Sequence, residues 1–527
     1  MPAAATVWVA AGALRASFRP MNTTQAGRSA SQGAGPPQDV GPQGIAPRRQ
    51  RVIVGAMLVS TFMAAVEITV VSTAMPTIVG QLGGFDLFTW AFGIYLLCQA
   101  VTTPIYGRLA DGYGRKRVYI GSVAVFLLGS LLCGYAWSMA SLIAFRAVQG
   151  LGGGGLVPMA TIIIADVSAT RDRPRLLGYV SGIWGIAAII GPLLGSFFVG
   201  TLGWPFVFWV NLPIGLLTMA LVGLFLDEPA PAGRRAPIDL AGAGPLALGI
   251  GTVMAALVQH ASFSPAGLAL LVAAGLLALA GFAWRERRSP APTLPLHLWR
   301  NPLIVAGNLS GLACGMLLIG ATAFLPSWVQ GVLGRSALVA GVVLGVLTVA
   351  WSGASLSLGQ ILYRMAYRPL ALTGSVALTL GGAGLALLRP GLAPAWVALA
   401  CALAGFGLGL HSLVFNVAVQ SSVAREDRGR ATSLFFFCRL IGQALGAAAF
   451  GGVLNAGLMR AGPGAHDAVR DLVEPLHRLA LAPAKLAQLT DALAGALHGV
   501  FLLAAGVAAL TLLIVLLVPR GARLPSG

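Results

Sequence analysis

The sequence predicts an all-α polytopic membrane protein with fourteen transmembrane helices, six in each of two halves and two inserted between the halves. Three observations lead there. Hydrophobic residues make up 57% of the 527 and charged residues only 9%, against about 25% charge in a soluble domain, so the chain belongs in a bilayer. Fourteen segments reach the ~20 apolar residues that a crossing requires. The basic residues then alternate between sides: with the N-terminus inside, 26 of the 34 Lys and Arg fall on the cytoplasmic face, while the short outer loops hold only Arg335 and Arg389. That asymmetry is the positive-inside pattern, and an odd helix count anywhere would scramble it.

The elements follow in order. Residues 1–50, rich in Ala, Gly, Pro, Gln and Ser, read as a disordered cytoplasmic tail, with Met21 as an alternative start. An N-terminal half, 51–226, carries segments at 52–78, 87–107, 117–137, 140–164, 176–200 and 205–226. A linker, 227–302, brings two extra helices at 239–259 and 265–284 between stretches rich in Pro and Arg. The C-terminal half, 303–519, carries segments at 303–327, 337–359, 369–388, 394–417, 430–456 and 496–519, and residues 520–527 form a second cytoplasmic tail. Residues 457–495 read as a long outer loop. Its leucines at 472, 476, 479, 486, 489 and 493 have the spacing of short amphipathic helices lying on the membrane.

The excess of positive charge, +18, is scattered through short loops, so no nucleic-acid partner is expected. The five cysteines all lie in apolar segments without C-x-x-C spacing. Neither a disulfide framework nor a metal site follows, and no cofactor is implied.

Charge is densest in Gly107–Tyr119, GRLADGYGRKRVY, between two membrane-length segments. Gly107, Gly112 and Gly114 are expected to let the backbone turn tightly there. The stretch resembles the loop between helices 2 and 3 of the major facilitator superfamily, matching it at Gly107, Leu109, Asp111, Gly114, Arg115 and Lys116. A weaker echo, GQILYRMAYR, begins at Gly359 and includes Arg364 and Arg368; Tyr363 stands where Asp111 stood. Two halves, each with this loop after its second helix, form a repeat, and repeat halves with a site at their interface are a transporter design.

Within the first helix, Glu67 sits near mid-membrane in VEITVVSTAMP. An intramembrane carboxylate costs ~2.5–3.5 kcal/mol on insertion scales and is a functional candidate by default. The stretch resembles the first-helix motif of the 14-helix drug:proton antiporters, the EmrB/QacA-like group, with Glu67 in place of its Asp. Helix 4 carries RAVQG, similar to the same family's R-x-x-Q-G at Arg146, Gln149 and Gly150. A buried guanidinium needs an acceptor, and Glu67 is the one acidic residue near that depth. The following glycines also spell G-x-G-x-x-G, but inside an apolar helix with no preceding strand they read as helix-contact residues.

Helix 5 resembles the family's antiporter motif at Gly191, Pro192 and Gly195. The stretch 203–215 resembles the entry to helix 6 at Trp204, Phe208, Asn211, Pro213, Ile214 and Gly215, and Arg439, Gly442 and Gly446 resemble the penultimate helix. Trp90, Trp137, Trp204, Trp284 and Trp328 fall at helix ends, as an interfacial belt would. Trp184 and Trp351 lie deeper and are candidates, with Gln149 and Arg439, to line a substrate cavity that stacks planar cations.

The resemblance covers roughly residues 50–520 and implies a major facilitator fold, residence in a bacterial inner (cytoplasmic) membrane with both termini inside, and no enzymatic reaction. It implies proton-coupled efflux of drug-like hydrophobic or cationic compounds by alternating access, with Glu67 and Arg146 coupling the proton. The partners are then a small-molecule substrate, protons and the lipid bilayer; a periplasmic adaptor is left open. The same scaffold would also serve export of an endogenous metabolite, lipid or peptide, and a non-transporting sensor or scaffold is a further class, against which intramembrane charge argues. The family's loop is further expected to latch the halves, with Asp111 meeting the first turn of helix 13 and Arg115 supporting its carboxylate.

Overall fold

The computed structural model describes residues 46–168, 173–227, 240–258, 263–289, 296–358, 365–423, 428–461, 472, 478 and 481–520. Among these, fourteen helices cross or nearly cross a membrane thickness, and no strand occurs. In a bilayer each backbone N–H and C=O must find its partner within the segment, which is why apolar runs of this length become helices.

The first half consists of α1 (Pro47–Leu82), α2 (Phe88–Tyr113), α3 (Arg115–Gly134), α4 (Met139–Val167), α5 (Arg173–Thr201) and α6 (Phe206–Phe225). The inserted pair is α7 (Leu240–Val258) and α8 (Pro265–Arg288). The second half is α9 (Pro302–Ser327), α10 (Ala337–Leu358), α11 (Tyr367–Ala386), α12 (Pro394–Ser421), α13 (Arg428–Arg460) and α14 (Pro483–Leu516).

The packing repeats between halves. In the first, α1 packs on α4, α5 and α6, α2 on α4, and α3 on α4 and α6; in the second, α9 packs on α12, α13 and α14, α10 on α12, and α11 on α12 and α14. Across the interface the fifth helix of each half meets the second helix of the other, α5 on α10 and α13 on α2. The inserted α7 lies against both α2 and α13, with α8 packed on it. Exposed Leu270, Leu276 and Leu277 on α8 suit a lipid-facing helix.

The halves close on one another at the end of the bundle away from the α2–α3 joint. There Ser72 donates to the Thr322 carbonyl. The Phe88, Phe324 and Phe450 rings meet edge to face at 6.0 and 6.1 Å, and Pro192 on α5 abuts Gly341 on α10.

Several expectations change. The charged loop at 107–119 is a one-residue joint: α2 stays helical to Tyr113, α3 starts at Arg115, and only Gly114 between them takes positive φ, +90°. The last helix begins at Pro483, so Leu486, Leu489 and Leu493 belong to it, and Leu489 and Leu493 are buried. Helix α1 starts at Pro47, inside the segment expected to be a tail; residues 1–45, most of the 457–482 connection and the tail beyond 520 lie outside the described residues. Of the expected tryptophan belt, Trp137 and Trp284 are exposed, whereas Trp204 and Trp328 are buried in protein.

Candidate functional site

Glu67 lies on α1 with its side chain wholly enclosed, 1% exposed. A bare carboxylate in such a place would cost several kcal/mol, and three other helices supply what it needs. Arg146 on α4 forms an ion pair with Oε1, and Asn211 at the start of the long part of α6 donates Nδ2–H to Oε2 at 2.6 Å.

Arg146 is itself held from several sides. Its Nε donates to the Ala91 carbonyl on α2 at 3.1 Å, and Nη1 also reaches Gln149 Oε1 at 2.6 Å. The Tyr95 ring lies beneath the guanidinium, with Cζ 4.1 Å from its centroid. Gln149 then donates Nε2–H to Ser130 Oγ on α3 at 2.8 Å, and Asn211 Nδ2 lies 3.4 Å from the same hydroxyl. Five polar side chains from α1, α3, α4 and α6 thus form one connected network, all but Ser130 bearing an amide or a charge. Asn211 Oδ1 is the loose end, buried with no hydrogen-bond partner among the described residues.

Asn211, Ser130 and Tyr95 were not singled out as site residues from the sequence. Asn211 carried a weak signal, an amide opening an apolar helix; Ser130 and Tyr95 carried none. The run Gly150–Gly155 does what helix-contact glycines do: a Cβ on Gly150 or Gly152 would strike the backbone of α2 or α3, so this smooth stripe sets how closely α4 approaches them.

The helix-5 residues connect this network to the other half. Thr69, two residues from Glu67, donates Oγ1–H to the Ala187 carbonyl on α5 at 3.2 Å. A Cβ on Gly191 would collide with the Thr69 hydroxyl, and one on Gly195 would lie 3.1 Å from the Val70 carbonyl. Pro192, on the same stretch, presses on Gly341 of α10. Helix α5 is therefore in contact with the carboxylate-bearing helix on one side and with the opposite half on the other.

The remaining candidates disperse. Gly107 is part of α2. Arg115 and Lys116 open α3, and Arg115 pairs with Asp166 at the end of α4, a contact within the first half. Arg368 lies in the first turn of α11. The side chain of Asp111, Arg364 and residues 424–427 lie outside the described residues, and with them the expected latch onto α13. Trp184 is half-buried on α5. Trp351 on α10 already carries a cation: the Arg439 guanidinium, Cζ 4.7 Å from its ring centroid. Among the described residues there is no cluster of His, Cys, Asp or Glu that would hold a metal.

Two repeated six-helix halves around a buried acid–base network are the architecture of a membrane transporter. A Major Facilitator Superfamily profile matches residues 57–447, and the chain belongs to that superfamily. It is 33% identical over 413 residues to Multidrug transporter protein MdtP of Bacillus subtilis (strain 168), covering 77% of this chain and 76% of that protein. To Multidrug resistance protein 3 of the same organism it is 32% identical over 475 residues, 86% and 92% of the two chains. Among solved structures, a bacterial homologue of the human lysosomal transporter Spinster, in an inward-facing and unoccupied conformation, superposes with a TM-score of 0.63 at 17% identity, covering 91% of this chain and all of that one. The chain is thus a multi-pass membrane transporter of the major facilitator type.

Proposed function

We propose that this protein is a proton-coupled antiporter that exports drug-like hydrophobic compounds, residing in the cytoplasmic membrane with both termini inside. The names of its relatives support the efflux part. The observation that carries the coupling is the path from Glu67 through α1 to α5 and on to α10. When Glu67 is ionised, Arg146 and Asn211 are satisfied and α1 is drawn toward α4 and α6. A proton on Glu67 removes the charge that holds both partners, and the freed Arg146 must find another acceptor. Any shift of α1 is transmitted by the Thr69–Ala187 contact and the Gly191 and Gly195 surface to α5, whose Pro192 bears on Gly341 in the other half.

In this reading the closed end faces outward and the described state is the inward-facing one, with the Gly114 joint and the Arg115–Asp166 pair at the cytoplasmic gate. Asp111 is proposed to latch that gate onto α13 once the cavity turns outward. The test is uphill export in proteoliposomes under an imposed pH gradient. Glu67→Gln should keep the fold and lose gradient-driven export; undiminished uphill export by that variant would overturn the assignment.

A further inference from the structure

The half after residue 302 contains a charge that the coupling network does not use. Arg439 lies eleven residues into α13, which begins at Arg428, so about 16 Å along the helix at 1.5 Å per residue. That is far from either end of a helix of 33 residues. Among the described residues no carboxylate pairs with it: the ion pairs are Arg49–Asp227, Arg115–Asp166 and Arg146–Glu67. In sequence, the nearest acids are Glu426 and Asp427, at least twelve residues away.

The Trp351 ring face beneath the guanidinium lowers the cost of holding a cation there. It leaves the five N–H donors of the guanidinium unanswered, and among the described residues the side chain forms no hydrogen bond. Arg439 is also part-exposed, while its neighbours Phe437, Cys438 and Ile441 are buried. Arginine and tryptophan reach each other from the fifth and second helices of the half, the same two positions that face the opposite half across the interface. A charged, donor-rich, partly open side chain at mid-membrane marks a substrate path by default.

We propose that Arg439 and Trp351 form a subsite for the acidic group of an aromatic or amphiphilic substrate. A carboxylate or sulfonate takes the planar fork of the guanidinium, whose geometry suits such groups, and the flat body of the molecule lies along Trp351. This rests on the efflux reading only in assuming that the cavity binds small molecules. It narrows that reading, because a cationic substrate would meet an uncompensated like charge at the one deep tryptophan that already carries a guanidinium.

The test is equilibrium binding to the full-length protein in lipid nanodiscs, without a pH gradient, by calorimetric titration. Three probes share one aromatic body and differ in charge: naphthoate, naphthamide and naphthyltrimethylammonium. A charge-assisted hydrogen-bonded pair is worth roughly tenfold or more in affinity, so naphthoate should bind at least about tenfold more tightly than the other two. Arg439→Gln should abolish that preference and leave naphthamide within about twofold. Arg439→Lys should retain a reduced preference, since it keeps the charge and loses the fork. Equal weakening of all three probes by Arg439→Gln would assign the arginine to packing and overturn the subsite. Should Arg439→Gln not fold, the wild-type order decides, and naphthoate binding no better than naphthamide overturns it. Because no gradient is applied, failure of proton-driven export leaves this result standing, and failure of this result leaves export standing.

Discussion

The two halves of the molecule use the same three helix positions for their buried polar cores, and they fill them with opposite chemistry. In the first half, the first, third and fourth helices carry Glu67, Ser130, and Arg146 with Gln149, joined by Asn211 from the sixth. In the second half, the corresponding helices carry Ser310, Ser375 and His411. The His411 ring is fully buried, with Nδ1 2.7 Å from Ser310 Oγ and Nε2 2.8 Å from Ser375 Oγ. One core holds an acid, a base and amides; the other holds an imidazole between two hydroxyls, which satisfies both ring nitrogens in the neutral form. The repeat therefore duplicates the scaffold without duplicating the titratable acid. In the proposed mechanism the first half changes charge, and the second stays as it is while the first moves against it.

The largest effect should come from breaking the charged core on one side only. Arg146→Leu strands the Glu67 carboxylate with Asn211 as its remaining partner, and losing one member of a buried pair costs about 3–5 kcal/mol. Thermal unfolding in detergent should show a large drop, and Glu67→Gln combined with Arg146→Leu should recover much of it. Additive losses in the double variant would mean that the two side chains do not act as a pair.

A smaller effect is expected from the neutral core. His411→Ala removes two interhelical hydrogen bonds, each worth about 0.6 kcal/mol on average within a bilayer, and leaves a void among α9, α11 and α12. Stability should fall by roughly 1–3 kcal/mol, while the pH profile of transport keeps its midpoint. A displaced midpoint would show that the second half also titrates, and the contrast between the halves would fail.

Much of this contrast was legible in the sequence, and the reasons for the remainder are physical. Glu67 and Arg146 announced themselves because charge at mid-membrane is costly enough to need a cause. Ser130 and Ser375 could not, since a hydroxyl inside a helix is cheap and common, and only the convergence of separate helices turns it into a site; Asn211 stood out only as part of the helix-6 motif. The Gly107–Tyr119 stretch was read as a loop from its charge and its glycines. The helix nevertheless continues to Tyr113, and chain direction changes only at Gly114. The leucines of 486–493 gave the correct helical spacing but not the start of the helix, which Pro483 in the first turn of α14 could have supplied.

The finest probe of the comparison is Ser130, where the first half's network ends in a hydroxyl like those flanking His411. Its Oγ accepts from Gln149 Nε2 at 2.8 Å and lies 3.4 Å from Asn211 Nδ2. Ser130→Ala removes that acceptor without touching either charge, so the stability loss should be near 1 kcal/mol. Its functional signature should nevertheless be specific. Gln149 also accepts from Arg146, and Asn211 also donates to Glu67, so loosening both amides alters how tightly the ionised carboxylate is held relative to the protonated one. The pH midpoint of transport should therefore shift in Ser130→Ala, whereas Ser375→Ala, the matching truncation beside His411, should lose similar stability and leave the midpoint in place. If both variants moved the midpoint equally, or neither did, the serine would be a packing residue and the proton-sensitive network would stop at Gln149 and Asn211.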